Sequence, residues 1–411
     1  MKNKVRQIVR TYGHFPKAIY VVFFAKLINS LGVFVFPLLT LILTKKIGLS
    51  EAETGKWMTV AGLLYLPSSM VGGKLADLIG RKKSIVIFNI LGSILYLICG
   101  FMSSNIYLIY IIMIACVFMS VAAPALNALI ADLTDPKDRE GAYSLAYLGS
   151  NIGYAVGPAI AGMLFENHFN LIFIGDAVTA IIATLLLLFF VKETIHKTKD
   201  EDVKNRELEK RVDGSILRVL SERPILVYFS LILFGYYFVY AQWGFLVPLH
   251  MESLYVGEGA KLYGRLTIVN GLTVIIFTPL ITSFFRKISH IRKIFFAGIL
   301  YTIGFGSLGF INSKFGIIIA VVIITLGEVT VTTNCMPFIA NHTPISHRGR
   351  VNAIIPSIMG SGFVVGPLIM GYVLEFKPIV TAWKYIGIFM MVFTVFMLVL
   401  EKLEFRKVSN N

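Results

Sequence analysis

Apolar runs of about twenty residues recur from Ala18 to Leu400, and no other feature constrains the fold so strongly. A helix rises about 1.5 Å per residue, so about 20 apolar residues cross a bilayer core of about 30 Å. The runs predict twelve spans, near 18–44, 56–76, 84–102, 106–131, 142–165 and 169–191, then 224–250, 263–285, 291–311, 316–340, 350–374 and 380–400. They lack the ten-residue alternation of a transmembrane barrel. Composition agrees. The chain is 56% hydrophobic and 15% charged, where a soluble domain is about 45–50% apolar and about 25% charged. This excludes a soluble enzyme, a disordered chain and a disulfide scaffold. Cys99, Cys116 and Cys335 all lie in apolar runs and read as small buried hydrophobes. The first run is longer than a signal-peptide core and lacks a small-residue cleavage pattern, so it is read as an uncleaved first span.

Twelve spans put both termini on one side. If that side is cytoplasmic, twenty-nine of the 38 Lys and Arg fall there and eight fall opposite, with Lys26 inside a span. Such a bias predicts a multi-pass protein of the cell membrane with both termini in the cytoplasm. It also accounts for the net charge of +15 without a nucleic-acid partner. Lys192–Arg223 is rich in both charges and lacks a sustained apolar run. It reads as a solvated linker, with a short surface helix expected around Val203–Leu220. The expected organisation is a six-helix bundle at 1–191, a linker at 192–223 and a second six-helix bundle at 224–411.

The halves repeat. Gly153, Gly157, Pro158 and Gly162 in span 5 match Gly362, Gly366, Pro367 and Gly371 in span 11, and Arg139 matches Arg348, always 209 residues apart. The expected fold class is therefore an all-α membrane protein, twelve transmembrane helices in two six-helix pseudo-repeats. Parallel repeats of this kind place a substrate site between the halves near the midplane. The glycines suit close helix packing. Pro158 and Pro367 each remove a backbone donor and can bend a helix, so these positions read either as packing alone or as packing with a part in rocking.

Between spans 2 and 3 runs Gly73-Lys74-Leu75-Ala76-Asp77-Leu78-Ile79-Gly80-Arg81-Lys82-Lys83. With the twelve spans and the six-plus-six repeat, this loop resembles the signature of the major facilitator superfamily. The span 5 pattern is similar to that of its drug:proton antiporter branch, with Ala161 replacing one glycine. Gly73 reads as a close-packing position. Asp77 and Arg81 lie four residues apart, within pairing distance on a helix. Asp132, at the end of span 4, is a second candidate partner of Arg81, and the N-terminal end of span 11, near Val351, is a candidate for Asp77. The resemblance implies a latch that holds one transport state; the plainer reading is a basic membrane anchor. The matching loop of the second half, Thr282–Lys293, has no acid, so the latch is one-sided. Ile112 stands in span 4 where the antiporter branch carries an arginine linked to proton coupling. Coupling would then fall to other residues.

Two acids are expected inside spans, Glu328 near mid-depth in span 10 and Asp176 nearer the outer end of span 6. Charge at such depth costs at least about 2.5 kcal/mol, so each is a functional candidate, here for proton coupling. The bland alternatives are a neutralised structural carboxyl for Glu328 and a packing polar group for Asp176. Thr325-Leu326-Gly327-Glu328 resembles a span 10 feature of some bacterial multidrug exporters. Lys26, in span 1, either snorkels to the interface or faces the cavity beside Asn29. A lysine in the cavity would favour anionic or zwitterionic substrates. Tyr236, Tyr240 and Trp243 in span 7 suit an amphipathic ligand or an interfacial belt. Asn151, Asn270 and Asn334 complete the substrate-binding candidates, with interhelical bonding as the alternative. No metalloprotease motif, P-loop or paired-histidine spacing occurs, so no enzyme, cofactor or metal site is expected. The expected function is proton-coupled export of small amphipathic compounds by a monomer working in the lipid bilayer. The alternative is a symporter or facilitator for one metabolite.

Overall fold

A computed structural model describes residues 15–135, 138–194, 223–284, 288–343 and 348–409. The helix expected at Val203–Leu220 and the basic Arg286 and Lys287 lie outside the described residues. Among those described, the chain is helical throughout and has no strand. Twelve helical segments coincide with the twelve expected spans. Nine of them are long and apolar enough to cross a membrane; those at Glu51–Ile79, Arg139–Leu164 and His290–Ser307 fall short. The first two carry charged, serine and glycine positions that a fully lipid-facing helix would not hold. Prolines inside the helices, Pro124, Pro158 and Pro367 among them, are tolerated because neighbouring helices re-satisfy freed backbone groups.

The repeat extends to where helices break. Span 1 is helical over Lys17–Leu31 and Val35–Leu41, then ends in a π-turn at Ile42–Lys46. Span 7 is helical over Pro224–Tyr240, tightens at Ala241–Trp243 and resumes over Leu246–Leu254. Leu31 and Tyr240, the last residues before each break, are again 209 apart. Gly32 marks the first break because a side chain there would collide with the Thr179 hydroxyl of span 6.

The described chain forms two compact units, Met1–Gly48 with Val60–Lys210 and Ala260–Thr267, and Leu49–Thr59 with Arg211–Gly259 and Ile268–Asn411. The start of span 8 thus packs in the first unit, and the start of span 2 in the second. In the first, a Cβ on Gly264 would lie 2.7 Å from the Pro158 carbonyl oxygen, and Gly162 abuts Ala260. In the second, Gly55 abuts the Pro367 carbonyl, and Gly371 would bring a Cβ within 2.6 Å of that of Glu51. All four residue pairs are related by the same 209-residue offset. The first unit buries a cluster of small aliphatics, Ala25, Ala125, Ala142 and Ala146 beside Ile19 and Leu129, together with the rings of Phe165 and Phe173. The second buries Trp383, Tyr236, Phe229, Phe305 and Phe338, with Phe229 and Phe338 stacked at 4.1 Å between ring centroids.

Candidate functional site

Span 10 runs as one helix, Lys314–His342, and carries Glu328 with its side chain half-buried in the second unit. One carboxylate oxygen accepts a hydrogen bond from the Asn270 amide of span 8 at 2.8 Å. The same amide donates to the Thr325 hydroxyl at 3.0 Å. The Tyr240 hydroxyl, at the end of the first part of span 7, also bonds the carboxyl. Tyr240 in turn stacks on Tyr301 of span 9, with centroids 6.1 Å apart and planes 16° apart. Gly327 admits that ring, since a Cβ there would lie 2.6 Å from Tyr301. Each polar or small residue of Thr325-Leu326-Gly327-Glu328 therefore has a task. Thr325 orients Asn270, Gly327 seats Tyr301, and Glu328 presents the carboxyl. Among the described residues, the partners of that carboxyl are side chains, able to turn away without unwinding a helix.

Asp176 is placed differently. It is 7% exposed and accepts from the backbone N–H groups of Phe34 and Val35, both at 3.1 Å. These are orphan donors at the start of the second helix of span 1, so Asp176 supplies their cap. That capping task accounts for its burial without calling on a part in transport.

Other expected binding residues also separate. Tyr236 is 1% exposed, and its hydroxyl donates to the Ile294 carbonyl at 3.1 Å, so it is core. Trp243 is 7% exposed on the tight turn of span 7. The Asn334 amide oxygen is taken by His290 (2.8 Å) and Lys293 (3.2 Å) at the start of span 9, and its nitrogen by the Thr330 carbonyl (2.9 Å). Asn151 donates to the Tyr147 carbonyl of its own helix at 2.8 Å. Lys26 is half-buried and Asn29 exposed, and Lys26 makes no ion pair among the described residues. Of the expected binding set, only Asn270 and Tyr240 converge on Glu328. Spans 7 and 12 reach Leu254 and Ser409, further than expected, so they enclose two more buried acids. Glu252 accepts from the N–H groups of Gly257 and Gly259, and Glu401 pairs with Arg292.

The loop between spans 2 and 3 holds the second cluster. Arg81, buried at 6% exposure, reaches Asp77 at 3.0 Å, Asp132 at 3.1 Å and the Ala76 carbonyl at 3.0 Å. The side chain of Asp77 is 72% exposed. Gly80 sits at φ +110°, a conformation that glycine adopts freely, and turns the chain between the two helices. Two partners had no signal in the sequence. Glu193, at the start of the linker, accepts from the backbone N–H groups of Arg81 (2.9 Å), Lys82 (3.4 Å) and Lys83 (3.2 Å), the first turn of span 3. Thr194 donates to Asp132 at 2.8 Å. The start of the linker is therefore tied down at Thr194, which is 3% exposed, although Lys192 is exposed. Partial burial pushes the Glu193 carboxyl up, but the N–H groups of Thr194, Lys83, Lys82 and Arg81 outweigh it and hold the carboxyl below the usual range.

The expected gating glycines divide as well. A Cβ on Gly157 would lie 2.8 Å from the Ser30 carbonyl, and one on Gly366 would lie 3.0 Å from that of Phe238. These glycines let spans 5 and 11 close onto spans 1 and 7. Gly73 has open space around it, and the close approach falls to Gly72, which abuts Val121 of span 4. The preceding residue carries the packing because it, not Gly73, faces span 4.

Among the described residues, long helices with many exposed apolar side chains, repeated breaks and a polar cluster inside one unit are those of a multi-pass membrane protein. The sequence profile of the Major Facilitator Superfamily matches residues 22–344, and the chain belongs to that family. It is 22% identical over 360 residues to the Na(+), Li(+), K(+)/H(+) antiporter of Planococcus maritimus, covering 81% of this chain and 84% of the relative. It is 24% identical over 355 residues to multidrug resistance protein 1 of Bacillus subtilis (strain 168), covering 85% and 87%. Its fold is similar to that of a POT family transporter solved in complex with a thioalcohol-conjugated peptide. The TM-score is 0.78 at 14% identity, over 95% of this chain and 97% of that one.

Proposed function

We propose that the protein is a proton-coupled exporter of small amphipathic compounds, working as a monomer by alternating access in the cell membrane with both termini in the cytoplasm. The observation that carries this reading is the Glu328 carboxyl, held by the movable side chains of Asn270 and Tyr240 beside the Tyr301 ring. Such a group can take a proton when its partners turn away and release it when they return. The Tyr240 and Tyr301 rings beside it suit the apolar part of an amphipathic substrate. A multidrug resistance protein and a cation/proton antiporter among its relatives support this chemistry. The 209-residue symmetry of Gly264 on Pro158 and Gly55 on Pro367, each contact inside one unit, supports two equivalent moving parts. Asp77, Arg81 and Asp132 form the latch that biases one state.

The test is substrate-driven proton movement in proteoliposomes. Glu328→Gln should abolish the coupled signal; a normal signal would remove Glu328 from the mechanism. A second reading, uptake or facilitated diffusion of an anionic or zwitterionic metabolite, is favoured by Lys26, half-buried without an ion pair among the described residues. One tightly bound ligand, lost on Lys26→Gln, together with indifference to amphipathic dyes, would establish it.

A further inference from the structure

We propose that the protein holds one anionic phospholipid in a groove between spans 7 and 12, at the basic end of the second unit. The groove has a volume of about 520 Å³ and is lined by Tyr228, Leu231 and Phe234 of span 7 and by Phe393, Phe396 and Leu403 of span 12. Its walls are almost wholly apolar, as an acyl chain requires. The two helices lie antiparallel, so the lining descends from Phe234 and Phe393 to Tyr228 and Leu403. Gly235 lets the Phe393 ring lie across span 7 at the deeper end.

The charges at the shallow end indicate the headgroup. Among the described residues there, Glu401 pairs with Arg292 and Glu404 with His342 (2.9 Å). The Arg223 guanidinium donates to the His342 carbonyl at 2.8 Å. This chain of contacts brings the start of span 7 to the end of span 12. Arg223 and Lys402 are exposed and pair with no carboxylate among the described residues. Lys402 adjoins Leu403, and Arg223 precedes Tyr228 by about 7 Å of helical rise. Two cations thus stand near the shallow end of an apolar slot whose described acids each have a basic partner. A phosphate on an acyl chain meets both features, and cations near a membrane surface favour anionic over zwitterionic lipid.

The test is native mass spectrometry of the full chain, incubated with phosphatidylglycerol or phosphatidylcholine of identical acyl chains. The wild type should retain phosphatidylglycerol roughly tenfold better. Arg223→Gln with Lys402→Gln should bring the two lipids to near parity while keeping some lipid bound. Leu231→Trp should lower retention of both by filling the slot. Equal retention by the wild type, or an undiminished preference in the double variant, would overturn the proposal. So would a lipid-free dimer sealed over this face, or displacement of either lipid alike by transported amphiphiles. Thermal unfolding of each variant separates loss of the site from loss of the fold.

Discussion

Asp176 and Glu328 are both carboxyls inside helical spans, yet they are held in opposite ways. Asp176 accepts from two rigid backbone N–H groups at a helix start and is buried to 7% exposure. Glu328 is half-buried and accepts from an amide and a phenol, each on a rotatable side chain. Releasing the first would strip a helix end of its cap; releasing the second needs only rotamer changes. A buried acid is therefore a poor guide to transport until its donors are known. Backbone donors fix a structure, and side-chain donors permit a cycle.

The sharpest way to break this comparison is to neutralise each acid in turn. Glu328→Gln should lower substrate-driven proton movement at least tenfold while leaving the unfolding temperature near that of the wild type, because its amide can still bond Asn270 and Tyr240. Asp176→Ala should do the reverse. Two buried N–H groups lose their acceptor, at a cost of about 1–3 kcal/mol per unsatisfied group. Transport per folded molecule should change less than twofold. Thermal unfolding and proteoliposome flux, measured on the same preparations, check both. Equal effects of the two substitutions on flux would erase the distinction.

A second prediction extends the contrast to the glycines. Gly157→Val should destabilise strongly, since its side chain would enter the space of the Ser30 and Leu31 carbonyls, and backbone cannot step aside. Gly73→Ala should leave stability within about 0.5 kcal/mol, the usual range for substitutions away from packed sites. The readout is the unfolding temperature in one detergent. A larger loss for Gly73→Ala would mean that its surroundings close in another state, as a moving latch requires.

The sequence carried most of the architecture. Span lengths follow from bilayer thickness, and the 209-residue register is written in Gly153, Gly157, Pro158 and their partners. The site was legible in part. Glu328 stands out as an acid in an apolar run, but its link to Asn270 bridges 58 residues and Tyr240 lies further still. No periodicity within one helix reports a contact between helices. Tyr236 and Tyr240 look alike in sequence, and only packing sends one into the core and leaves the other beside the carboxyl. The task of Asp176 depended on the break in span 1, and that of Glu193 on a fold-back of more than a hundred residues.

Glu193 tests the same lesson at the smallest scale, because it too accepts from backbone, yet outside the spans. Its carboxyl is held below the usual range, so the ionised form is favoured by folding. For a depressed acid, the stabilisation is complete above the unfolded value, about 4.3 for glutamate, and is lost as pH falls through the folded value. The wild type should therefore exceed Glu193→Gln in unfolding temperature by a constant small margin between pH 7 and about pH 5, and the margin should close below about pH 4. Differential scanning of both proteins across that series checks it. A margin that widens on acidification would mean that the proton strengthens the hold on the first turn of span 3, and the backbone-held carboxylate would no longer be the fixed member of the comparison.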